Sequence, residues 1–140
     1  MVPTRFAVAT HILLLLATDR PEAATSLRMA RSVNTNPVVV RRITGQLSRA
    51  GLIRVRRGPG GAALLRAPAH ITLADVWQAV NPGAPRPLLP VHANPDQACP
   101  VGCRVHSVLS DAFGVVERAL QGALAQTTLD HLLHDMAEAA

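Results

Sequence analysis

The chain has 140 residues, of which 49% are hydrophobic and 16% charged, which excludes a disordered tail and bounds it to one domain, or one small domain plus an assembly helix. Aromatic residues make up only 2%, so a core must be built from Ala, Val and Leu, a composition that suits helices. All 14 basic residues are arginine, which excludes a Schiff-base lysine and a G-K-[ST] phosphate loop, and two cysteines are too few for a disulfide scaffold.

The net charge of +5 is unevenly spread. Residues 1–66 carry eleven arginines against Asp19 and Glu22, a net +9, whereas residues 67–140 carry three arginines and seven acids, a net −4. A basic first half is expected to meet a polyanion, and the second half to do something else.

Residues 6–17 (FAVATHILLLLA) follow Arg5 and have the length of a leader's apolar segment. They are too short to span a membrane, which takes about 20 residues, and Thr10, His11, Asp19 and Arg20 interrupt or bound them. A buried first helix over about Thr4 to Ala17, closed by Pro21, and a cytoplasmic location are therefore expected.

A second helix should begin at Thr25 or Ser26, either of which can cap it, with Leu27, Ala30 and Val33 on one face. Asn34 and Thr35 make a turn. Asn36 before Pro37 then starts a third helix, because proline's missing N–H costs nothing at a first position. Its inward stripe is Val40, Ile43 and Leu47, and Gly51 ends it with a left-handed backbone.

Residues 52–57 alternate apolar and basic, as a strand with one wet face does. Gly58-Pro59-Gly60-Gly61 turns the chain into a second strand over 62–66. Thr72 and Asp75 form a capping box for a short helix holding Val76, Trp77 and Val80. Five prolines between 81 and 98 leave a semi-rigid connection.

After Cys99-Pro-Val-Gly-Cys103 a long helix should run to about Ala125. Its apolar stripe, Val105, Val108, Leu109, Ala112, Val115, Val116, Ala119, Leu120 and Ala123, is wider than one neighbour needs. Thr127 or Thr128 caps a last helix with Leu129, Leu132, Leu133 and Met136. The predicted fold is thus mostly α with a small β-hairpin. Residues 1–80 form a winged helix-turn-helix DNA-binding domain, 81–103 a proline-rich linker and cysteine loop, and 104–140 a dimerisation helix with a C-terminal helix.

Helix, short turn, helix and basic hairpin form a unit whose second helix enters a major groove while the hairpin follows the backbone. With Val40, Ile43 and Leu47 inside, Val38, Arg41, Arg42, Gly45 and Arg49 point outward and Val39 lies at the edge. Asn36, Val38, Val39, Arg41 and Arg42 are the candidates for base readout, since arginine can take guanine's two acceptors and asparagine adenine. Arg5, Thr25, Ser26, Arg28, Thr35, Arg49, Arg54, Arg56, Arg57, Gly58 and Gly60 are the candidates for phosphate and wing contacts.

Several stretches resemble the Rrf2 family of bacterial transcription regulators. They are TRFAVATHIL (4–13), NTNPVVVRRI (34–43), LSRAGLI (47–53), RRGPGG (56–61) and ITLADV (71–76), with CPVGC (99–103) and TTLDHL (127–132) matching a subgroup. The resemblance implies a homodimer paired by the long helix, binding to a double-stranded operator, usually repression, and control by a small effector. Ala62-Ala63 departs from the family's usual glycine and aromatic, which predicts a slightly altered second strand of the wing.

Some members of that family hold an iron–sulfur cluster on three cysteines. This chain has two, and a cluster takes four ligands, so none is expected unless His92, His106 or a second subunit contributes. Cys99 and Cys103 could instead form a thiol switch, with Cys103 as the reactive thiolate at the helix start and Cys99 resolving it, or could both be inert small hydrophobes.

His11 is expected to be a core histidine with a satisfied hydrogen bond. His131 and His134 could hold a metal only with Asp130 or Asp135, and no metal site is expected. No nucleophile–base pair exists: Ser110 and Asp111 point apart on one helix, so the chain is read as a non-enzyme with no catalytic residue. The alternatives to an operator-binding regulator are a redox-sensing regulator and a winged-helix module that docks an acidic protein without DNA.

Overall fold

The computed structural model describes residues 4–18, 25–56 and 61–140. Pro21, Arg57, Gly58 and Gly60, each given a role above, lie outside them. The helices are α1 (Arg5–Thr18), α2 (Ser26–Val33), α3 (Pro37–Arg49), α4 (Leu73–Val80), α5 (Gly102–Gln126) and α6 (Leu129–Ala139). Strands β1 (Ile53–Val55) and β2 (Ala62–Leu64) form one antiparallel pair. The chain makes two compact units: Met1–Pro82 with Ala125–Ala140, and Gly83–Leu124.

In the first unit, α1 is the central helix and touches α2, α3, α4, β2 and α6. Its leader-like run supplies Ala9, Ile12 and Leu13, all fully buried. Thr10 and Thr18 tolerate this apolar setting because their hydroxyls donate back to the carbonyls of Phe6 and Leu14, at 2.9 and 3.1 Å. Phe6 meets Trp77 of α4 edge to face with centroids 5.2 Å apart.

Local chemistry sets the helix ends. Thr25 caps α2, its hydroxyl accepting from Arg28 N at 3.2 Å. Asn34 leaves α2 in the left-handed region, φ 61°, which asparagine tolerates better than most residues. Asn36 caps α3, its Oδ1 accepting from Val38 N at 2.8 Å, with Pro37 in the first turn. After Ala50, Gly51 takes φ +77° and turns the chain toward β1, as expected. Val40, Ile43 and Leu47 are the buried stripe of α3.

Two side chains depart from the periodic reading. Leu27 is 71% exposed, and Met29 takes the inward position beside Ala30 and Val33. A two-turn helix offers two overlapping stripes, and packing against α1 and α3 selects the one with the longer, more adaptable methionine. Val55 is 50% exposed although the alternation put it inward. Both strands are three residues long, so burial ends at Ile53, which pairs with Leu64. The register also pairs Val55 with Ala62, which is buried, so the unusual alanine still forms the strand.

Pro68–His70 forms a 3-10 turn that the sequence reading did not anticipate. It leads to α4, whose capping box joins Thr72 and Asp75 in both directions, at 2.9 and 3.1 Å. α6 has the same device, but with His131: its Nδ1 accepts from Thr128 N and its own N–H donates to Thr128 Oγ1, both at 3.2 Å. The two capped starts are laced together. Thr72 and Thr128 form an antiparallel bridge, Leu73 N donates to Thr127 O at 2.8 Å, and Leu129 N donates to Ile71 O at 2.9 Å. Leu129 is fully buried in the core that α1 to α4 build.

In the second unit, residues 83–98 hold no helix or strand, and the amide of Leu89 donates to Glu117 of α5 at 2.9 Å. α5 has no buried residue along its 25 positions. Among the described residues no helix is long and apolar enough to cross a membrane.

Leu129→Ala should lower the unfolding free energy by about 2–5 kcal/mol, because it empties a fully enclosed position. Urea denaturation of the full chain measures this, with the loss in the midpoint and little change in slope.

Candidate nucleic-acid interface

Burial of Val40, Ile43 and Leu47 dictates what α3 shows to solvent. Val38 (53% exposed), Arg41 and Arg42 are exposed, and Val39 is half-buried against the core. Thr44 is buried and bonds back to the carbonyl of Arg41 at 3.0 Å, so the polar face ends there. Asn36 is exposed, with Oδ1 committed to the helix cap and its amide N–H groups still available. The Arg49 guanidinium folds back over Gly45, where the missing side chain leaves it room.

Three of the residues expected to contact phosphate converge. Thr25, Ser26 and Arg56 line one pocket of about 240 Å3 between the start of α2 and the hairpin, together with Thr44, Val55 and Leu27. The helix start of α2 and a guanidinium on the facing hairpin suit an anion. Arg54 is exposed on β1, and Arg56 N closes the stem onto Gly61 O at 2.9 Å. Leu27 and Val55 add exposed apolar surface to this pocket, an exposure that follows from tertiary packing and strand length.

Other arginines are engaged elsewhere. Arg5 donates to Asn81 Oδ1 at 2.6 Å, tying the start of α1 to the end of α4. Arg66, at the end of the hairpin stem, lies 3.7 Å from Asp75. Arg28 lies in the first turn of α2, and Thr35, partly exposed, donates its backbone N–H to Ala30 O at 3.0 Å.

The cysteine loop is built around Gly102. A side chain there would collide with the Asp96 carbonyl, so only glycine lets the loop close on the start of α5. Ala98 N donates to Asp96 Oδ1 at 2.9 Å and Cys99 N to Asp96 O at 3.2 Å. Because α5 already begins at Gly102, Cys103 lies inside its first turn and donates its thiol to Pro100 O at 3.4 Å. Cys99 faces the backbone N–H groups of Gly102 and Val101, which hold its thiol pKa below the ordinary value. The helix start thus favours the thiolate of Cys99, the cysteine that the sequence casts as the resolving partner.

His11 is exposed, contrary to the core position expected, but its Nε2 does have a partner, Ser32 Oγ at 3.0 Å. His131 serves the helix cap, and His134 lies 3.4 Å from Glu138. Among the described residues no three His, Cys, Asp or Glu side chains come together to hold a metal ion.

A helix-turn-helix with an arginine-bearing hairpin defines the class as winged-helix. The chain matches the model of the Rrf2 family, described as iron-dependent transcriptional regulators, over residues 2–135. It is 40% identical over 136 residues to a Bacillus subtilis (strain 168) protein named as the HTH-type transcriptional regulator YwnA, covering 97% of this chain and 99% of that one. A solved structure described as a DNA-binding protein shares 38% identity, with 92% of this chain and 98% of that one covered and a TM-score of 0.73. A transcriptional regulator from Lactobacillus plantarum shares 29%, covering 96% and 90%, with a TM-score of 0.79. The chain belongs to the Rrf2 family, and it is a transcriptional regulator. The iron in the family's description has no matching donor set here: the chain has two cysteines, and the described residues gather no third ligand.

In Cys103→Ser protein, the rate of Cys99 alkylation by iodoacetamide should rise with pH at a lower midpoint than in the same protein unfolded in urea. The thiolate is the reactive form, and the two N–H groups favour it only in the folded loop.

Proposed function

We propose that the chain is a homodimeric regulator that binds a double-stranded operator and represses transcription. The observation that carries this is the exposure of Val38, Arg41 and Arg42 on the face of α3 opposite its buried stripe. Asn36, Val38, Val39, Arg41 and Arg42 read base edges in the major groove. Thr25, Ser26, Arg28, Thr35, Arg49, Arg54 and Arg56, with Arg57, Gly58 and Gly60 of the hairpin tip, hold phosphates. Arg5 joins them only by giving up its bond to Asn81.

Residues 1–80 meet the duplex, 81–103 connect, and 104–140 carry the pairing helix. Support for pairing comes from α5, which leaves Val108 (61% exposed), Val115, Val116 and Leu120 in water. A two-fold protein calls for a palindromic operator. This reading carries with it a cytoplasmic location and a small effector.

A redox response is a second reading, favoured by the activated Cys99 thiol four residues before Cys103. A peroxide oxidises the Cys99 thiolate to a sulfenic acid, releasing water or an alcohol. The Cys103 thiol then displaces water to close a disulfide. A module that docks an acidic protein predicts no shift of random duplex at low salt.

Selection of bound duplexes from a random pool tests the main reading by returning an operator and its symmetry together. Arg41→Ala or Arg42→Ala should cost about 1–3 kcal/mol on that operator and relax its sequence preference. Arg56→Ala should weaken all duplexes alike and reduce the salt slope by about one unit in titrations at varied salt.

A further inference from the structure

We propose that Leu27 and Val55 form an apolar seat for a deoxyribose of the bound DNA strand, beside the phosphate that meets Thr25, Ser26 and Arg56. Leu27 is 71% exposed and Val55 50% exposed, and both line the pocket of about 240 Å3 between the start of α2 and the hairpin. Neither serves the core: Met29 and Ala30 are the buried residues of α2, and Ile53 is that of β1. Two aliphatic side chains left in water at one place are a standing free-energy cost, relieved when apolar surface covers them.

The lining says what the cover is. Thr25, Ser26 and Arg56 share the pocket with the two aliphatic residues. One strand of a nucleic acid carries the matching order of chemistry, an anionic phosphate followed at once by the CH groups of a sugar. A free inorganic anion would leave Leu27 and Val55 uncovered. A wholly apolar guest would strip water from Arg56 without replacing its hydrogen bonds. Deoxyribose fits better than ribose, because a 2′-hydroxyl facing either side chain would lose its water.

Charge and place in the fold agree with this occupant. Arg56 in the lining and the net +9 of residues 1–66 favour a polyanion. α2 packs on α3, whose Val38, Arg41 and Arg42 are exposed. The seat rests on the operator reading and deepens it: the phosphate contacts are electrostatic, whereas this one is hydrophobic and independent of salt. Sugars recur at every step of a strand, so the seat strengthens binding without reading bases.

Binding of the full chain to a selected operator and to a random duplex, followed by fluorescence anisotropy over a range of salt, tests this. Leu27→Ala should weaken both duplexes by the same factor, about fivefold, with the salt slope unchanged. Val55→Thr, nearly the same in shape, should weaken both by about threefold. Leu65, 53% exposed just past β2 but not in this pocket, is the control: Leu65→Ala should change neither affinity nor slope. A single ribonucleotide placed at successive positions of the operator should weaken the unchanged chain at one position per half-site, and Leu27→Ala protein less there. Because Leu27 is exposed, Leu27→Ala should leave the urea midpoint in place, which separates lost contact from lost fold.

An equal loss in Leu65→Ala protein overturns the seat, as does a ribonucleotide scan that affects both proteins alike. A loss confined to the selected operator, or one that disappears when its thymines are replaced by uracil, gives Leu27 to a base methyl group and overturns the sugar contact. A smaller salt slope makes the loss a disturbed phosphate contact and overturns it as well. If the unchanged chain binds a duplex and Leu27→Ala protein binds it equally, the seat alone falls. If the unchanged chain binds no duplex at all, the operator reading falls and the seat with it.

Discussion

The structure depends on one register, that of α3 against α1 and α4. Burying Val40, Ile43 and Leu47 fixes the helix's rotation, and a rotation of a third of a turn would put arginine in the core at a cost no pairing there could offset. The same register presents Val38, Arg41 and Arg42 to solvent together. Asn36 and Pro37 fix where the helix starts, so its first turn projects from a defined edge. Packing and exposure are two sides of one constraint, and the chemistry of the outer face is inherited from the inner one.

Around that helix the first unit uses few aromatic side chains and many short contacts. Ala9 and Ala30 let α1 and α2 approach closely, and Ile12, Leu13, Leu47 and Leu52 fill the space between helices and hairpin. The basic surface is carried almost wholly by arginine, whose planar fork can make paired bonds to guanine or phosphate and stays charged at any working pH. Two of these arginines, Arg5 and Arg66, are held by Asn81 and Asp75, so the charge available to a partner is concentrated near α2, α3 and the hairpin.

What was legible in the sequence was local. Asn36-Pro37, Thr72 with Asp75, and Gly51 declare helix ends because the atoms they bond lie within four residues. The α3 stripe was readable because thirteen residues sample its period more than three times. Leu27 and Val55 were misjudged because an eight-residue helix and a three-residue strand give too few repeats to choose a face. The bridge between Ile71–Leu73 and Thr127–Leu129 joins segments more than fifty residues apart and left no periodic trace. The lowered pKa of the Cys99 thiol was not legible because it depends on the N–H groups of Gly102 and Val101 at a helix that starts at Gly102, a shift of only two residues.

That bridge has a consequence for how the molecule comes into being. The body holding α1 to α4 is completed by α6, so Gly83–Leu124 is an excursion leaving and re-entering one core. A nascent chain that has emerged only as far as Pro82 still lacks Leu129 and the partners of Ile71 and Leu73. The arginine-bearing head can therefore reach its final state only after the long helix α5 has already been synthesised, which orders folding in time: the excursion is made before the core that it leaves is closed.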